Sequence, residues 1–224
     1  MITAIIAAGG RGTRMGADIN KVYLNLDGME IIARTVLAFE ENQEIDEIIV
    51  VTGEADILRF EEIQRHYGFC KISAVVVGGG TRAESVYNGL KKSKGDIILI
   101  HDGARALISQ EEINNVITDC KKYKAAALGV KCKDTLKAST DGFITATLDR
   151  ETTYQIQTPQ AFMREIILSA HQNACDNLTT DDCGMVEAMG VKIKITEGSY
   201  DNIKLTTPSD MAIGSEILKR RSKV

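Results

Sequence analysis

The chain has 224 residues, of which 44% are hydrophobic and 26% charged, and its formal net charge is −4 at pH 7. This balance is typical of one globular domain with a full core, and the acidic charge argues against broad nucleic-acid binding, which usually needs a basic face. No apolar stretch is as long as a membrane span, and the N-terminus lacks the basic start of a signal peptide. We predict a cytoplasmic protein with a single domain over residues 1–224 and with neither nucleic acid nor a membrane as partner.

The cysteines and histidines argue against two kinds of site. The five cysteines are odd in number and include no Cys-x-x-Cys pair, which is atypical of a disulfide framework or a zinc site. The three histidines show no metal-ligand spacing. Among them only His101 has polar neighbours that suggest chemistry.

Short β-branched runs alternate with helical patterns along the chain. The predicted strands are residues 2–7, 48–52, 72–77, 97–101, 125–130 and 191–196. The predicted helices are residues 30–41, 56–67, 82–92 and 111–122, followed by a last helix with Thr207 as its cap and Pro208 in its first turn. Most of these strands are apolar throughout, as in a parallel sheet buried on both faces. The pattern predicts an α/β fold with one doubly wound, mostly parallel sheet, in which ligands bind at the carboxyl ends of the strands.

Residues 133–151 interrupt this alternation. Two β-capable runs flank Asp141-Gly142, a pair that favours a tight hairpin turn. An isolated hairpin is marginal in water unless something packs on it. We predict that this segment is a projecting β-hairpin arm through which two copies form a homodimer. A hairpin folded back on its own domain is the alternative.

The first strand leads directly into a glycine-rich, basic loop. Gly9, Gly10 and Gly12 allow backbone N–H groups to approach a ligand closely, and Arg14 and Lys21 supply charge that suits an anion. The loop is neither a Walker A motif, because no Gly-Lys-Ser or Gly-Lys-Thr occurs, nor a dinucleotide fingerprint, because the next glycine comes one residue late. It predicts a nucleotide phosphate site, with a plain tight turn and solvated arginines as the alternative.

Two further strand ends carry polar groups. Glycines 78–80 follow the strand at 72–77, and Arg82 and Ser85 lie on the first turns of the next helix. Asp102 follows the strand at 97–101, where a carboxylate suits a magnesium ion shared with phosphates. Because these strand ends meet at one edge of the sheet, we predict a single nucleotide site there.

A series of motifs covers nearly the whole chain. They are Ala7-Ala8-Gly9-Gly10-Arg11-Gly12-Thr13-Arg14-Met15 with Lys21, the run GGTRAESVYNGL at 79–90, His101-Asp102-Gly103-Ala104-Arg105, Asp134-Thr135, Asp149-Arg150, Gln157-Thr158-Pro159-Gln160, Thr180-Asp181-Asp182 and Asn202-Ile203-Lys204-Leu205-Thr206. In content and order they resemble the 2-C-methyl-D-erythritol 4-phosphate cytidylyltransferases of non-mevalonate isoprenoid biosynthesis. The resemblance implies a Rossmann-like nucleotidyltransferase fold and transfer of CMP from CTP to methylerythritol 4-phosphate.

The resemblance also implies a role for each matching residue. Arg14, Lys21 and Lys204 would be catalytic, contacting the phosphates of CTP, and Asp102 would ligate Mg²⁺. The nucleotide would contact Ala7, Ala8, Gly9, Gly10, Gly79, Arg82, Ser85 and Gly103. Arg105, Thr135 and Arg150 would face the sugar phosphate, with Arg150 acting on the site of the neighbouring subunit.

Three positions depart from the family pattern. Asn20 replaces the usual proline before the lysine, and Gly103 and Ala106 replace an alanine and a proline. The two proline losses are expected to relax loops and slow catalysis, whereas Gly103 should not block the ribose. Two alternatives stay open: a ribitol 5-phosphate cytidylyltransferase of the same fold, and a catalytically weak nucleotide-binding protein.

Overall fold

A computed structural model describes residues 1–9, 20–173 and 181–222. Its strands are β1 Ile2–Ala7, β2 Asn25–Leu26, β3 Met29–Glu30, β4 Glu47–Thr52, β5 Ile72–Val77, β6 Ile97–Asp102, β7 Ala125–Lys131, β8 Lys137–Thr140, β9 Phe143–Thr147, β10 Tyr154–Met163 and β11 Lys194–Glu197. Its α-helices are α1 Ile31–Glu40, α2 Ile57–Tyr67, α3 Arg82–Lys92, α4 Gln110–Tyr123, α5 Arg164–Asn173, α6 Asp182–Ala188 and α7 Pro208–Arg221, and 3₁₀ turns cover Lys21–Tyr23 and Glu54–Asp56.

Within the described residues, seven strands form the main sheet, in the order β11-β7-β10-β6-β1-β4-β5. β1 runs parallel to β4 and β6, and β10 runs antiparallel between β6 and β7. Alternate residues of the central strands face opposite apolar layers: Ile6 packs in the layer that contains Phe39, and Ile5 in the layer that contains Phe162. Helices cover both faces, which confirms the doubly wound, mostly parallel sheet.

Local signals account for the helix ends. Ser109 and Glu112 form the capping box at the start of α4, Gly68 ends α2 with φ 69°, and Pro208 opens α7 behind its cap Thr207. No helix in the described part of the chain is both long and apolar enough to cross a membrane.

The sequence reasoning missed β10, α5 and α6, and its strand at 191–196 was wrong in its bounds, because β11 comprises Lys194–Glu197. β10 contains Pro159, and a proline normally argues against a central strand because it cannot donate to the ladder. Here the register of β10 with β7 shifts between Ile156 and Gln160, so the irregularity accommodates Pro159.

The hairpin itself is confirmed, whereas the homodimer expected to form through it stays a prediction. β8 and β9 pair with each other in a two-stranded sheet, joined by Asp141 and Gly142, whose φ angles of 51° and 84° are those of a tight primed turn. On this arm, residues 133–151, the side chains of Phe143 and Ile144 are 77% and 68% exposed.

Candidate active site

Backbone hydrogen bonds draw three loops together at the carboxyl edge of the parallel strands. The N–H of Ala8 donates to the carbonyl of Val51 at 2.7 Å, and the N–H of Gly103 donates to the carbonyl of Ala7 at 2.8 Å. On the other side of β4, the N–H of Gly78 donates to the carbonyl of Thr52, also at 2.8 Å. The start of the first glycine-rich loop, the second glycine-rich loop and the end of β6 therefore share one edge.

A cavity of about 460 Å³ opens beside the end of β6. It is lined by Arg82, Asp102, Arg105, Ile156, Thr158, Gln160, Asp181, Cys183, Glu187 and Lys204. Four residues that the sequence singled out thus meet in one place: Arg82, Asp102, Arg105 and Lys204.

Asp102 lies among three cationic side chains. Its Oδ2 is 2.7 Å from Nζ of Lys204 and 3.7 Å from Nε of Arg105, and its Oδ1 is 3.6 Å from Nε of Arg82. Burial alone would raise the pKa of Asp102, but the charges of Lys204 and Arg82 outweigh it and lower the pKa from 3.8 to about 2. The carboxylate is therefore ionised at every physiological pH.

Arg82 joins two acidic groups from its position at the start of α3. Besides facing Asp102, its Nη1 donates to Oδ2 of Asp182 at 2.6 Å. Asp182 is fully buried, and its other oxygen is 3.2 Å from Nε2 of His171. Burial lowers the pKa of Arg82, but Asp182 and Asp102 reverse this effect and raise it, so the guanidinium stays charged inside the protein.

The second glycine-rich loop requires a glycine at Gly79. A Cβ there would lie 2.3 Å from Cβ of Glu84, closer than real Cβ contacts allow. Ser85 accepts a hydrogen bond from the N–H of Gly79 at 3.0 Å and donates to the carbonyl of Thr81 at 2.8 Å. Ser85 therefore stabilises the turn that precedes α3.

Gly103 permits close contact between the ends of β6 and β1. A Cβ at Gly103 would lie 3.1 Å from the carbonyl oxygen of Ala7 and 2.9 Å from Cδ1 of Ile32. Its own carbonyl accepts a hydrogen bond from Oγ1 of Thr35 at 2.9 Å. The glycine that replaces the family's alanine thus occupies a tightly packed position.

Asn20 is fixed by its side chain. Its Nδ2 donates to the carbonyl of Ala8 at 2.9 Å and to Oδ2 of Asp56 at 3.1 Å, and its Oδ1 accepts from the N–H of Val22 at 3.4 Å. These contacts hold the backbone immediately before Lys21, which begins the 3₁₀ turn. The relaxation expected from the loss of proline is therefore opposed by three hydrogen bonds.

Other predicted residues lie elsewhere. Gly10 and Arg14 are outside the described residues, and Gly9 is exposed at the end of the described N-terminal segment. Thr135 and Arg150 are exposed on the arm and do not line the cavity. Ala106 is buried in an apolar cluster with Leu205.

Sequence reasoning assigned no role to several buried polar residues that surround the site. They are Gln157, Thr158, Gln160, Asp182 and Asn202, all within motifs of the resemblance. His101, directly before Asp102, is also fully buried, and burial lowers its pKa from 6.5 to about 4. The feature of the sequence that could have indicated these residues is the occurrence of polar side chains within, or directly beside, otherwise apolar strands.

A doubly wound, mostly parallel sheet with a glycine-rich turn and a cation-surrounded carboxylate at its carboxyl edge is the arrangement expected of a nucleotidyltransferase. A family model described as 2-C-methyl-D-erythritol 4-phosphate cytidylyltransferase matches residues 2–220. The chain belongs to this family.

Individual relatives and a solved structure agree with this family assignment. A 2-C-methyl-D-erythritol 4-phosphate cytidylyltransferase from Alkaliphilus oremlandii is 46% identical over 226 residues, which cover 98% of this chain and 95% of the relative. One from Desulforamulus reducens is 44% identical, covering 99% of this chain and 97% of the relative. The crystal structure of 4-diphosphocytidyl-2C-methyl-D-erythritol synthase from Anaerococcus prevotii is similar with a TM-score of 0.87 at 32% identity, covering 97% of this chain and 96% of that one.

Proposed function

We propose that the protein transfers CMP from CTP to 2-C-methyl-D-erythritol 4-phosphate, giving 4-diphosphocytidyl-2-C-methyl-D-erythritol and pyrophosphate in isoprenoid precursor biosynthesis. The observation that carries the proposal is the ionised Asp102 among Lys204, Arg82 and Arg105 at the strand ends, in a chain of this family. Such a group of fixed charges suits a reaction between two polyanions.

In this reaction an oxygen of the acceptor phosphate attacks the α-phosphorus of CTP, and the bond from that phosphorus to the pyrophosphate oxygen breaks. The attacking oxygen is already anionic, so no side chain has to remove a proton. The protein's task is to position two anions in line and to neutralise the charge that builds up between them. Arg82, Arg105 and Lys204, which line the cavity, supply fixed positive charge for that task.

We propose Mg²⁺ as the divalent cation, with Asp102 as its protein ligand. Mg²⁺ usually binds one or two carboxylates and completes its shell with substrate phosphates and water. Asp102 fits this description because it is ionised and lines the cavity. When bound, the ion would neutralise phosphate charge.

The proposed roles of the other residues follow from their charge and position. Lys204 would bind the α-phosphate, since its side chain is 44% exposed beside Asp102. Arg14 and Lys21 would hold the triphosphate. Ala7, Ala8, Gly9, Gly10, Gly79, Arg82, Ser85 and Gly103 would contact the rest of the nucleotide.

The acceptor phosphate would bind Arg105 and Thr135, together with Arg150 of a second copy. Support for the part played by the second copy comes from the exposure of Arg150 on the arm and from the exposed apolar side chains of Phe143 and Ile144 nearby, which a homodimer would cover.

The test is pyrophosphate release from CTP and Mg²⁺, with methylerythritol 4-phosphate and ribitol 5-phosphate offered separately and Asp102→Ala as the blank. We expect turnover with methylerythritol 4-phosphate alone. Turnover only with ribitol 5-phosphate would overturn the acceptor. No turnover with either acceptor, in a protein that still binds CTP, would favour the alternative of a nucleotide-binding protein.

Lys21→Ala tests the role of the first loop. Removal of one preorganised charge typically costs about 3 to 4 kcal/mol of transition-state stabilisation, or about a hundred- to a thousandfold in kcat. Steady-state kinetics should show this loss, whereas Lys122→Ala, at an exposed lysine on α4 that does not line the cavity, should keep normal turnover. Near-normal kcat in Lys21→Ala would remove Lys21 from the mechanism.

A further inference from the structure

Four residues behind Asp102 form a closed circuit of hydrogen bonds. Nδ1 of His101 is 3.1 Å from Oγ1 of Thr158, and Nε2 of His101 is 3.1 Å from the carbonyl oxygen of Arg105. Nη1 of Arg105 donates to the carbonyl of Asn202 at 2.7 Å. Nδ2 of Asn202 donates to the carbonyl of Thr158 at 3.0 Å, which closes the circuit.

The chemistry of the partners fixes the direction of each bond. The carbonyl of Arg105 can only accept, so Nε2 of His101 carries a proton. A buried imidazole with no carboxylate on either nitrogen is neutral, so Nδ1 of His101 accepts from the hydroxyl of Thr158. Each residue of the circuit then donates to the next one in the same sense. Within His101 the accepting Nδ1 and the donating Nε2–H belong to one conjugated ring, so the two hydrogen bonds of this ring strengthen each other.

The circuit connects to the segments that carry Asp102 and Lys204, two charged groups of the proposed mechanism. Oγ1 of Thr158 accepts a hydrogen bond from the backbone N–H of Asp102 at 3.0 Å. Asn202 lies two residues before Lys204, and the N–H of Leu205 donates to the carbonyl of Ala104 at 2.9 Å. The segments that carry Asp102 and Lys204 are thereby held to each other and to β10.

We propose that His101, Thr158 and Asn202 are positioning residues that set Asp102 and Lys204 in their reactive geometry through this circuit, an inference that rests on the proposed function. His101 acts as a fixed neutral connector and neither takes nor gives a proton in the reaction. Loss of a side chain that orients a metal ligand commonly lowers metal affinity or activity by about 10- to 100-fold.

The first experiment needs no activity. Long-range ¹H–¹⁵N spectra of the full-length protein report which nitrogen of each of its three histidines is protonated, and the signals of His101 are those missing in His101→Gln. We expect the Nε2-protonated form of His101 in the wild type. With the proton on Nδ1 instead, His101 would donate to Thr158 and lose its hydrogen bond to the carbonyl of Arg105, which would overturn the circuit.

The second experiment compares Thr158→Val with Thr158→Ser, which keeps the hydroxyl. We expect Thr158→Val to lower kcat by about 10- to 100-fold and to raise the Mg²⁺ concentration needed for half-maximal rate, and Thr158→Ser to restore most of both. Thr196→Val is the matched control, because the hydroxyl of Thr196 is also buried and donates to Asp119 at 2.7 Å, away from the cavity.

Three results would overturn the positioning role: unchanged kcat in Thr158→Val, equal losses in the valine and serine variants, or an equal loss in Thr196→Val. If the wild type transfers no CMP, the proposed function fails, while the protonation of His101 still decides whether the circuit exists.

Discussion

Asp102 contributes to stability as well as to the proposed chemistry. Its pKa is about 2 in the folded protein against an ordinary 3.8. Because the unfolded chain binds this proton more tightly than the folded one, the contribution is fully present above about pH 4 and is lost as the pH falls towards about 2. A shift of this size corresponds to about 2 kcal/mol.

We therefore expect the free energy of unfolding to fall more steeply in the wild type than in Asp102→Asn as the pH is lowered from about 5 to about 2, by about 2 kcal/mol in total. Urea denaturation at a series of pH values measures the difference. Parallel pH profiles for the two proteins would contradict the assignment of the low pKa to Asp102.

Asn20→Ala tests whether the side-chain hydrogen bonds of Asn20 supply the loop rigidity that the missing proline would give. The change removes all three side-chain hydrogen bonds of Asn20, each worth about 1 kcal/mol, and frees the backbone before Lys21. We expect a lower melting temperature and a lower kcat/KM for CTP. Asn20→Pro, the residue that the family resemblance gives, should recover part of kcat/KM, and Asp56→Ala, which removes one of the bonds, should have a smaller effect. Wild-type kinetics in Asn20→Ala would show that these bonds are dispensable.

Among single residues, the charged groups of the site were easier to predict from the sequence than the buried polar residues that hold them in place. Asp102 and Arg82 follow strand and loop signals that are local in the sequence. Thr158 and Asn202 become part of the site only when β10 inserts beside β6, a contact between distant segments that no local pattern reveals. Their burial, in which Oγ1 of Thr158 and Nδ2 of Asn202 find hydrogen-bond partners inside the protein, is likewise a property of the folded chain alone.

Among the elements, helix ends were predictable because capping is local: Ser109, Glu112 and Gly68 carry their signals within one turn. β10 was not predictable, since Pro159 and several polar residues concealed a central strand. The hairpin was predictable because Asp141-Gly142 specifies its turn whatever lies around it.

The turn between β5 and α3 is predicted to be important both for stability and for nucleotide binding. Gly79→Ala places a Cβ where Glu84 already lies, so the start of α3 must shift together with Ser85 and Arg82. We expect destabilisation of about 1 to 3 kcal/mol and a raised KM for CTP. Gly53→Ala is the matched control, because the nearest atom to its Cβ is 3.5 Å away and its φ of −67° suits alanine. Equal KM values in the two variants would contradict a role for this turn in nucleotide binding.

For the whole molecule, the exposed apolar side chains of the arm predict that two copies form a homodimer. Phe143 and Ile144 are the apolar groups that a second copy would bury, so a double change to serine at both positions should shift a dimer towards monomers while the fold is retained. Sedimentation measures the mass, and circular dichroism checks the fold. A wild-type protein that is monomeric at micromolar concentration would contradict the homodimer and, with it, the role of Arg150 in a neighbouring site.

The strand order also divides the sheet by position in the sequence. β1, β4, β5 and β6 all come from residues 2–102, and β7, β10 and β11 come from residues 125–197, so the antiparallel β6–β10 pair is the boundary. During translation, every strand of the first half leaves the ribosome before any strand of the second. Asp102 belongs to the early half, whereas Thr158 and Lys204 are synthesised after the boundary. A nascent chain that has not yet released Lys204 has therefore already released β1, β4, β5 and β6, while it still lacks the cation nearest to Asp102.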